Sequence, residues 1–321
     1  MAVTAVKSPY LRWLATALKG SECGCPEGAP GGENIVLGYA TGYDVADVAI
    51  FVRSLRSHYK GPVALVVDNN PELRAFLHSY DIEAVDAPSV CGKAWLPNAV
   101  VSRFAGFDAL LRDRPWVQHA FLTDVRDVAF QGDPFAGSLE RLEFFAECEE
   151  PLASHAFNMK YLRAVAGDSL AQVVADKACI CVGTVLGRRE DLMRFCRLIL
   201  SLGAIPRSEI GGSFGADQAT CNLAVHLGLL ESTVKPNHSR VATLGLVRRD
   251  QLQLDGTRIL NPDGSASPVV HQYDRHADLA KAMWQAWAPT YQPKARRAPR
   301  DLKSRLLRMF QSIRRRTVEL R

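Results

Sequence analysis

No stretch of this sequence reaches the roughly 18–20 consecutive apolar residues that a bilayer-crossing helix needs, which excludes a protein built on such spans. The N-terminal segment also lacks the unbroken apolar core of a secretory leader, because Lys7, Arg12 and Lys19 interrupt Leu11, Trp13, Leu14 and Leu18. The expected location is the cytoplasm, or the cytoplasmic face of a membrane. Two phosphate-handling signatures are missing as well. No Gly-x-Gly-x-x-Gly follows the first predicted strand and no Gly-x-x-x-x-Gly-Lys-Ser/Thr occurs, which speaks against a Rossmann dinucleotide site and a P-loop. Zinc-type cysteine pairs are absent: Cys23 and Cys25 form a Cys-Gly-Cys too tightly spaced for a structural site, with no second pair nearby. The other six (Cys91, Cys148, Cys179, Cys181, Cys196 and Cys221) are scattered through apolar or helical segments and read as reduced, mostly buried thiols.

What is present describes an ordinary folded protein. A content of 47% hydrophobic and 23% charged residues rules out a disordered or fibrous chain, and 321 residues suffice for one large α/β domain or two smaller ones. The net charge of +5 is unevenly placed: from Lys294 onward 11 Lys and Arg face 2 acids, so the preceding chain is near −4. The body is therefore no basic nucleic-acid-binding surface.

Hydrophobic spacing predicts a short amphipathic helix over 8–19 and a Gly/Pro-rich linker over 20–32, with the folded body starting at Glu33. A strand at 34–40, a helix at 45–58 and a strand at 62–68 make a β-α-β unit. Helices at 71–80 and 99–113 and strands at 82–85 and 117–122 continue the alternation. Farther on come a strand at 178–182 leading into Gly183–Gly187, a helix at 189–202, a Gly-rich loop, a helix beginning near Asp217, and a strand at 268–271.

Three segments carry residues suited to chemistry. The strand ending at Leu122 runs into Thr123-Asp124-Val125-Arg126-Asp127, and in open α/β sheets ligands sit beyond the carboxyl ends of strands. Carboxylates there can hold a divalent ion against phosphate oxygens. Second, Gly211-Gly212-Ser213-Phe214-Gly215 leads into Asp217-Gln218 and Asn222 at a helix start. Asp217 there suits either a general base or a helix cap. Third, Val269-Val270-His271 is an apolar strand ending in an imidazole, a good ligand for a manganese-like ion, with His276 as a weaker candidate.

In this order the three segments resemble those of GT-A-type glycosyltransferases: an Asp-x-Asp-like strand end followed by the Asp133-Pro134-Phe135 turn, a late Asp-Gln-x-x-x-Asn, and a C-terminal His. The spelling departs from that family, because two residues separate Asp124 from Asp127 and Arg126 lies between them. Two registers stay open. Either Asp124 is the first acid of the pair and Arg126 replaces the second, or Asp127 is the second and Val125 replaces the first. A guanidinium beside diphosphate supplies part of the missing neutralisation; the plainer alternative is a turn capped by Asp124 with an Arg126–Asp127 surface ion pair.

The resemblance implies a GT-A fold, a Rossmann-like α/β arrangement with a mainly parallel mixed sheet flanked by helices, over residues 33–290. It implies transfer of sugar from a nucleoside-diphosphate sugar, with UDP-sugars foremost, to a glycan or lipid-linked acceptor hydroxyl. It assigns Asp124, Asp127 and His271 to a divalent metal (Mn or Mg) and Asp217, Gln218 and Arg126 to catalysis. Donor contacts fall on Tyr39, Ala40, Thr41, Asp68, Gly183 and Thr184, and on Arg103, whose alternative is a solvated helix face; Gly183 can equally mark a tight turn. Nucleic acid is not an expected partner. After Pro293, Leu302, Leu306, Met309, Phe310 and Ile313 recur at helical spacing among Arg and Lys, which predicts a basic amphipathic tail over 291–321 able to contact an anionic membrane through 294–321. A non-catalytic sugar-nucleotide-binding relative and a nucleotidyltransferase are the rival readings.

Overall fold

Alternation of apolar runs with amphipathic helices builds the observed molecule from its first strand. The computed structural model describes residues 13, 14, 17, 32–87, 98–203 and 215–291. Of the predicted helix over 8–19, Trp13, Leu14 and Ala17 are described; all three are helical, and Trp13 and Leu14 are buried in the main core. Most of the 20–32 linker, Cys23, Cys25, Cys91, the Gly211–Phe214 loop and the tail beyond Tyr291 lie outside the described residues.

Strand β1 (Glu33–Tyr39) leads to α1 (Val45–His58), whose start is fixed by a capping box between Asp44 and Asp47. β2 (Val63–Val67) is wholly buried, α2 (Pro71–Ser79) opens with proline behind an Asn70 cap, and β3 (Glu83–Asp86) follows. After α3 (Ala99–Arg112) come β4 (Val117–Thr123) and the short β5 (Val128–Phe130). Then follow β6 (Leu142–Pro151), α4 (Ala156–Val173), β7 (Ala178–Arg188), α5 (Arg189–Leu202) and α6 (Ala216–His226). Short strands β8 (Thr233–Lys235), β9 (Val241–Thr243), β10 (Gln253–Asp255), β11 (Arg258–Leu260) and β12 (Val269–His271) precede α7 (Ala277–Trp287).

The central sheet runs β3-β2-β1-β4-β7-β6-β8. The first four strands are parallel, β7 runs antiparallel to both β4 and β6, and β8 is parallel to β6. This is a mostly parallel mixed α/β sheet with helices on both faces. Period-two alternation explains both cores: Ile35 and Leu37 of β1 pack with α3 and α5, while Val36 between them packs with α1 and α2. A second sheet, β5-β12-β9, is fastened to α1 where the Phe130 N–H donates to Ser54 Oγ (3.0 Å).

The structure departs from the sequence expectation in several elements. β5, β6, α4, β8, β9, β10, β11 and α7 had no counterpart there, and β7 does not stop at Val182 but continues to Arg188 through an irregularity in its pairing with β6, where Phe144 faces Val185 and Phe145 faces Cys181. Gly183 therefore lies within a strand at a bulge and marks no tight turn.

Candidate active site

The end of β4 is tied to the bulge of β7: the Asp124 N–H donates to the Gly183 carbonyl (2.7 Å), extending the ladder one residue past Thr123. Buried Val125 then turns the chain back toward β5, fitting against Gly38, where a Cβ would collide with it. In the small sheet His271 pairs with Val128, and the Gln272 N–H donates to the Asp127 carbonyl (2.8 Å). That register brings a histidine from late in the chain beside two aspartates of the β4–β5 turn.

His271 Nε2 lies 3.5 Å from Asp124 Oδ2 and 3.7 Å from Asp127 Oδ1, and the three candidate ligand atoms fall within 4.8 Å of one another. The ring is fully buried, its other nitrogen sits 3.6 Å from Cys181 Sγ, and Nε2 has no hydrogen-bond partner. Fixing one nitrogen so that the other faces a pair of carboxylates is how ligating imidazoles are commonly oriented. Gly183 makes room for the arrangement, since a Cβ there would lie 2.4 Å from His271 Cε1 and 2.7 Å from Asp124 Oδ2.

Arg103 completes the centre. Its side chain is buried, with Nη1 paired to Asp124, and Nη2 donating to Asp217 Oδ2 (3.0 Å) and more weakly to the Val182 carbonyl (3.4 Å). The solvated-face alternative for Arg103 is thereby overturned: the residue is turned inward because two carboxylates hold it. Asp217 is also buried and stands in the first turn of α6, whose N-cap is Gly215 at φ +89°.

These pairings set the charge balance. Burial alone would raise the Asp124 carboxyl, but the Arg103 guanidinium and the His271 ring hold it down, at about 2. Burial pushes Asp127 up against the pull of His271, with Asp124 and Asp274 adding to the rise. Burial likewise raises Asp217 against the pull of Arg103. Burial, with Asp124 ahead of Asp127 adding to it, pushes the Tyr43 hydroxyl to about 12.

The remaining expected residues spread outward. Gln218 is half-buried and its amide donates to Glu147 Oε2 (3.0 Å) and Asn158 Oδ1 (2.9 Å), so it braces the framework behind Asp217. Asn222 brackets the Ile180 peptide, accepting from its N–H (2.9 Å) and donating to its carbonyl (3.0 Å), which welds α6 to β7. Arg126 is exposed and apart from the cluster; it lines a cleft of about 560 Å³ with Asp47, Ile50, Tyr273, Lys281 and Trp284. Asp127 faces His271 and, at 4.0 Å, Arg275, so the turn is not organised around an Arg126–Asp127 pair.

At the β1 end, the Tyr39 ring lies against Gly106 and edge-on to Phe107. The Ala40 N–H donates to the Val66 carbonyl (2.8 Å), and the loop beyond Thr41 is closed by the Gly42 N–H on Asp68. Asp68 thus shapes the loop by binding its backbone. Thr184 is buried, faces Thr123 across the strands and leaves its hydroxyl unpartnered. His276 is spent on the Leu244 carbonyl (3.0 Å) and does not join the acids. Cys181, the residue that orients His271, shows in the sequence only as one of several thiols in apolar segments. The loop before α6 also spells Gly-x-Ser-x-Gly, but the described element preceding it is the helix α5, whereas a nucleophile elbow follows a strand.

No protein-family model matches this chain, and no curated protein matches it in sequence. Among the described residues no helix is long and apolar enough to cross a membrane.

Proposed function

We propose that the chain is a GT-A-like glycosyltransferase that moves a sugar from a nucleoside-diphosphate sugar to a hydroxyl of a glycan or lipid-linked acceptor. One observation carries this reading: Asp124, Asp127 and His271 converge beyond the carboxyl end of a central parallel strand, with an unpartnered imidazole nitrogen aimed at the carboxylates. Two carboxylate oxygens and one imidazole form a donor set suited to manganese or magnesium, borderline enough to favour manganese. A divalent ion held by these three residues would place positive charge against the departing diphosphate.

The chain's own residues supply the rest. Arg103 holds Asp124 and Asp217 a fixed distance apart, so the acid that faces phosphate and the acid that faces the acceptor keep a common frame. Asp217 takes the proton of the attacking hydroxyl, and its burial makes it a better base than a solvated carboxylate. Arg126, exposed on the turn between Asp124 and Asp127 and outside their cluster, meets phosphate oxygens only after swinging toward the bound donor. The Tyr39–Thr41 loop, held by the Ala40 and Gly42 amides, receives base and ribose, and Gly183 with Thr184 lets the sugar approach the β7 backbone. The basic segment 294–321 brings the enzyme to an anionic membrane where a lipid-linked acceptor resides.

A sugar-nucleotide-binding protein without transfer is the second reading, and the Arg103 clamp favours it, because Asp124 is already charge-compensated. Thermal-shift measurements with UDP-, GDP- and dTDP-sugars, each with and without manganese, test the proposal. One donor is expected to raise Tm, and more so with manganese. Stabilisation by none overturns it, and a donor that binds yet is never consumed favours the second reading.

A further inference from the structure

Two thiols and an imidazole converge at a second place, away from the aspartates. Cys148 on β6, Cys179 on β7 and His155 at the start of α4 bring their ligand atoms within 4.8 Å of one another, with Cys148 Sγ 3.1 Å from His155 Nε2. Both cysteines are free and buried, while His155 is half-buried, which gives the cluster a route to solvent. The local fold accounts for the meeting. The β6–β7 ladder shifts register between Ala146 and Pro151, so Cys148 and Cys179 both lie within the irregular stretch. His155 occupies the N-cap of α4, a position where a side chain usually bonds the first turn, yet it makes no cap bond and turns to the thiol.

We propose that Cys148, Cys179 and His155 form a zinc site. Zinc prefers thiolate and imidazole donors in a tetrahedral array, with Zn–S near 2.3 Å and Zn–N near 2.0–2.1 Å, so tetrahedral ligand atoms stand roughly 3.3–3.8 Å apart. With Cys148 Sγ and His155 Nε2 at 3.1 Å and no pair beyond 4.8 Å, side-chain adjustments of about 1 Å reach that. Binding replaces the two thiol protons, which pass to solvent, and two thiolates then balance the dication. The fourth position is open to water, or to Glu147, whose Oε2 lies 3.3 Å from Cys179 Sγ. An outer shell is already in place: the Asn158 amide donates to Cys179 Sγ (2.9 Å), and Gln218 holds both Asn158 and Glu147. Gln218 is the neighbour of Asp217, so the ion would clasp β6, β7 and α4 together behind the α6 turn that carries the buried acid. This inference does not depend on sugar transfer.

Cobalt titration of the reduced full-length protein, followed by zinc competition, tests it. Cobalt at one equivalent is expected to give a thiolate-to-metal charge-transfer band and the intense visible bands of a tetrahedral ion, both bleached by zinc. The bands should vanish in Cys148→Ser and Cys179→Ser and persist in Asp127→Asn and Cys221→Ser. His155→Ala, at a half-buried position, should keep its native circular dichroism yet lose the tetrahedral pattern, which separates ligation from folding if a cysteine variant unfolds. Absence of the charge-transfer band in the wild type overturns the proposal, as does a band indifferent to His155→Ala, or a Cys148–Cys179 disulfide forming in place of metal binding.

Discussion

Arg103 is the residue on which the centre depends most, because a buried guanidinium is matched by two acids and removing it strips Asp217 of its cation and leaves Asp124 with His271 alone. Breaking a buried ion pair by deleting one partner costs about 3–5 kcal/mol, so Arg103→Met should lower the unfolding free energy by that order in chemical denaturation. A loss under about 1 kcal/mol would mean that the pairs are solvated and contribute little. The acid side follows in sign. Asp124 is depressed to about 2, so its contribution is fully present above the ordinary unfolded value near 4 and is lost as pH falls toward about 2. Carboxyl-carbon NMR should show Asp124 titrating below the ordinary aspartate value, and moving upward in Arg103→Met. Asp127 and Asp217 act in the opposite sense, since a raised folded value favours the native state as they protonate. Gly183→Ala tests the space around the cluster: the new methyl must displace His271 or Asp124, at a cost of about 1–3 kcal/mol. Manganese binding, followed by electron paramagnetic resonance, should be lost while circular dichroism stays native.

Among elements, α6 and β7 act as one piece through Asn222, whose amide satisfies both backbone groups of Ile180. Asn222→Ala leaves a buried N–H and a buried C=O unpaired, at about 2–4 kcal/mol together, and hydrogen exchange should accelerate at Ile180 before it does in β1 or β2. Unchanged protection at Ile180 would refute that linkage. The same element scale shows what was legible in the sequence. The strands and helices from Glu33 to Arg112 match their sequence patterns closely, because the helices bury one stripe against the sheet while β1 and β2 are short apolar runs buried on both faces. β6 was not legible: Glu143 and Glu147 make it look like surface, yet both are buried, and the partners that compensate them, Arg240 and Gln218, come from 97 and 71 residues away. α4 hides for a different reason, since Gly167 at φ +80° breaks its helical run and leaves no sustained apolar face. Asp124, Asp127, Asp217 and His271 could be picked out by residue type beside predicted strand and helix ends, but nothing in their spacing announced that Arg103 and Cys181 hold them. Those two act through tertiary contacts alone.

At the scale of the whole molecule, the sheet order sets the division of labour: β3-β2-β1-β4 presents parallel carboxyl ends on one side, and the antiparallel β7 closes them off with its bulge. Parallel pairing gives way to antiparallel between β4 and β7, where Asp124 and Gly183 meet beside His271, beyond a carboxyl strand end of the kind at which open α/β sheets take ligands. The charge division is equally global, with a near-neutral to acidic body and a tail of about +9. Full-length protein should therefore sediment with anionic vesicles and a chain ending at Gln292 should not; equal sedimentation of both would remove the tail from the account. The central claim, that this crevice transfers sugar from a nucleoside diphosphate, is tested most directly by phosphorus NMR of UDP-, GDP- and dTDP-sugars incubated with the full-length protein, magnesium and candidate glycan acceptors. For one donor the sugar-linked β-phosphate signal should give way to that of the free nucleoside diphosphate, and Asp217→Asn should abolish the conversion. If every donor stays intact, and none broadens or shifts on adding protein, the account of this site as a glycosyltransferase is wrong.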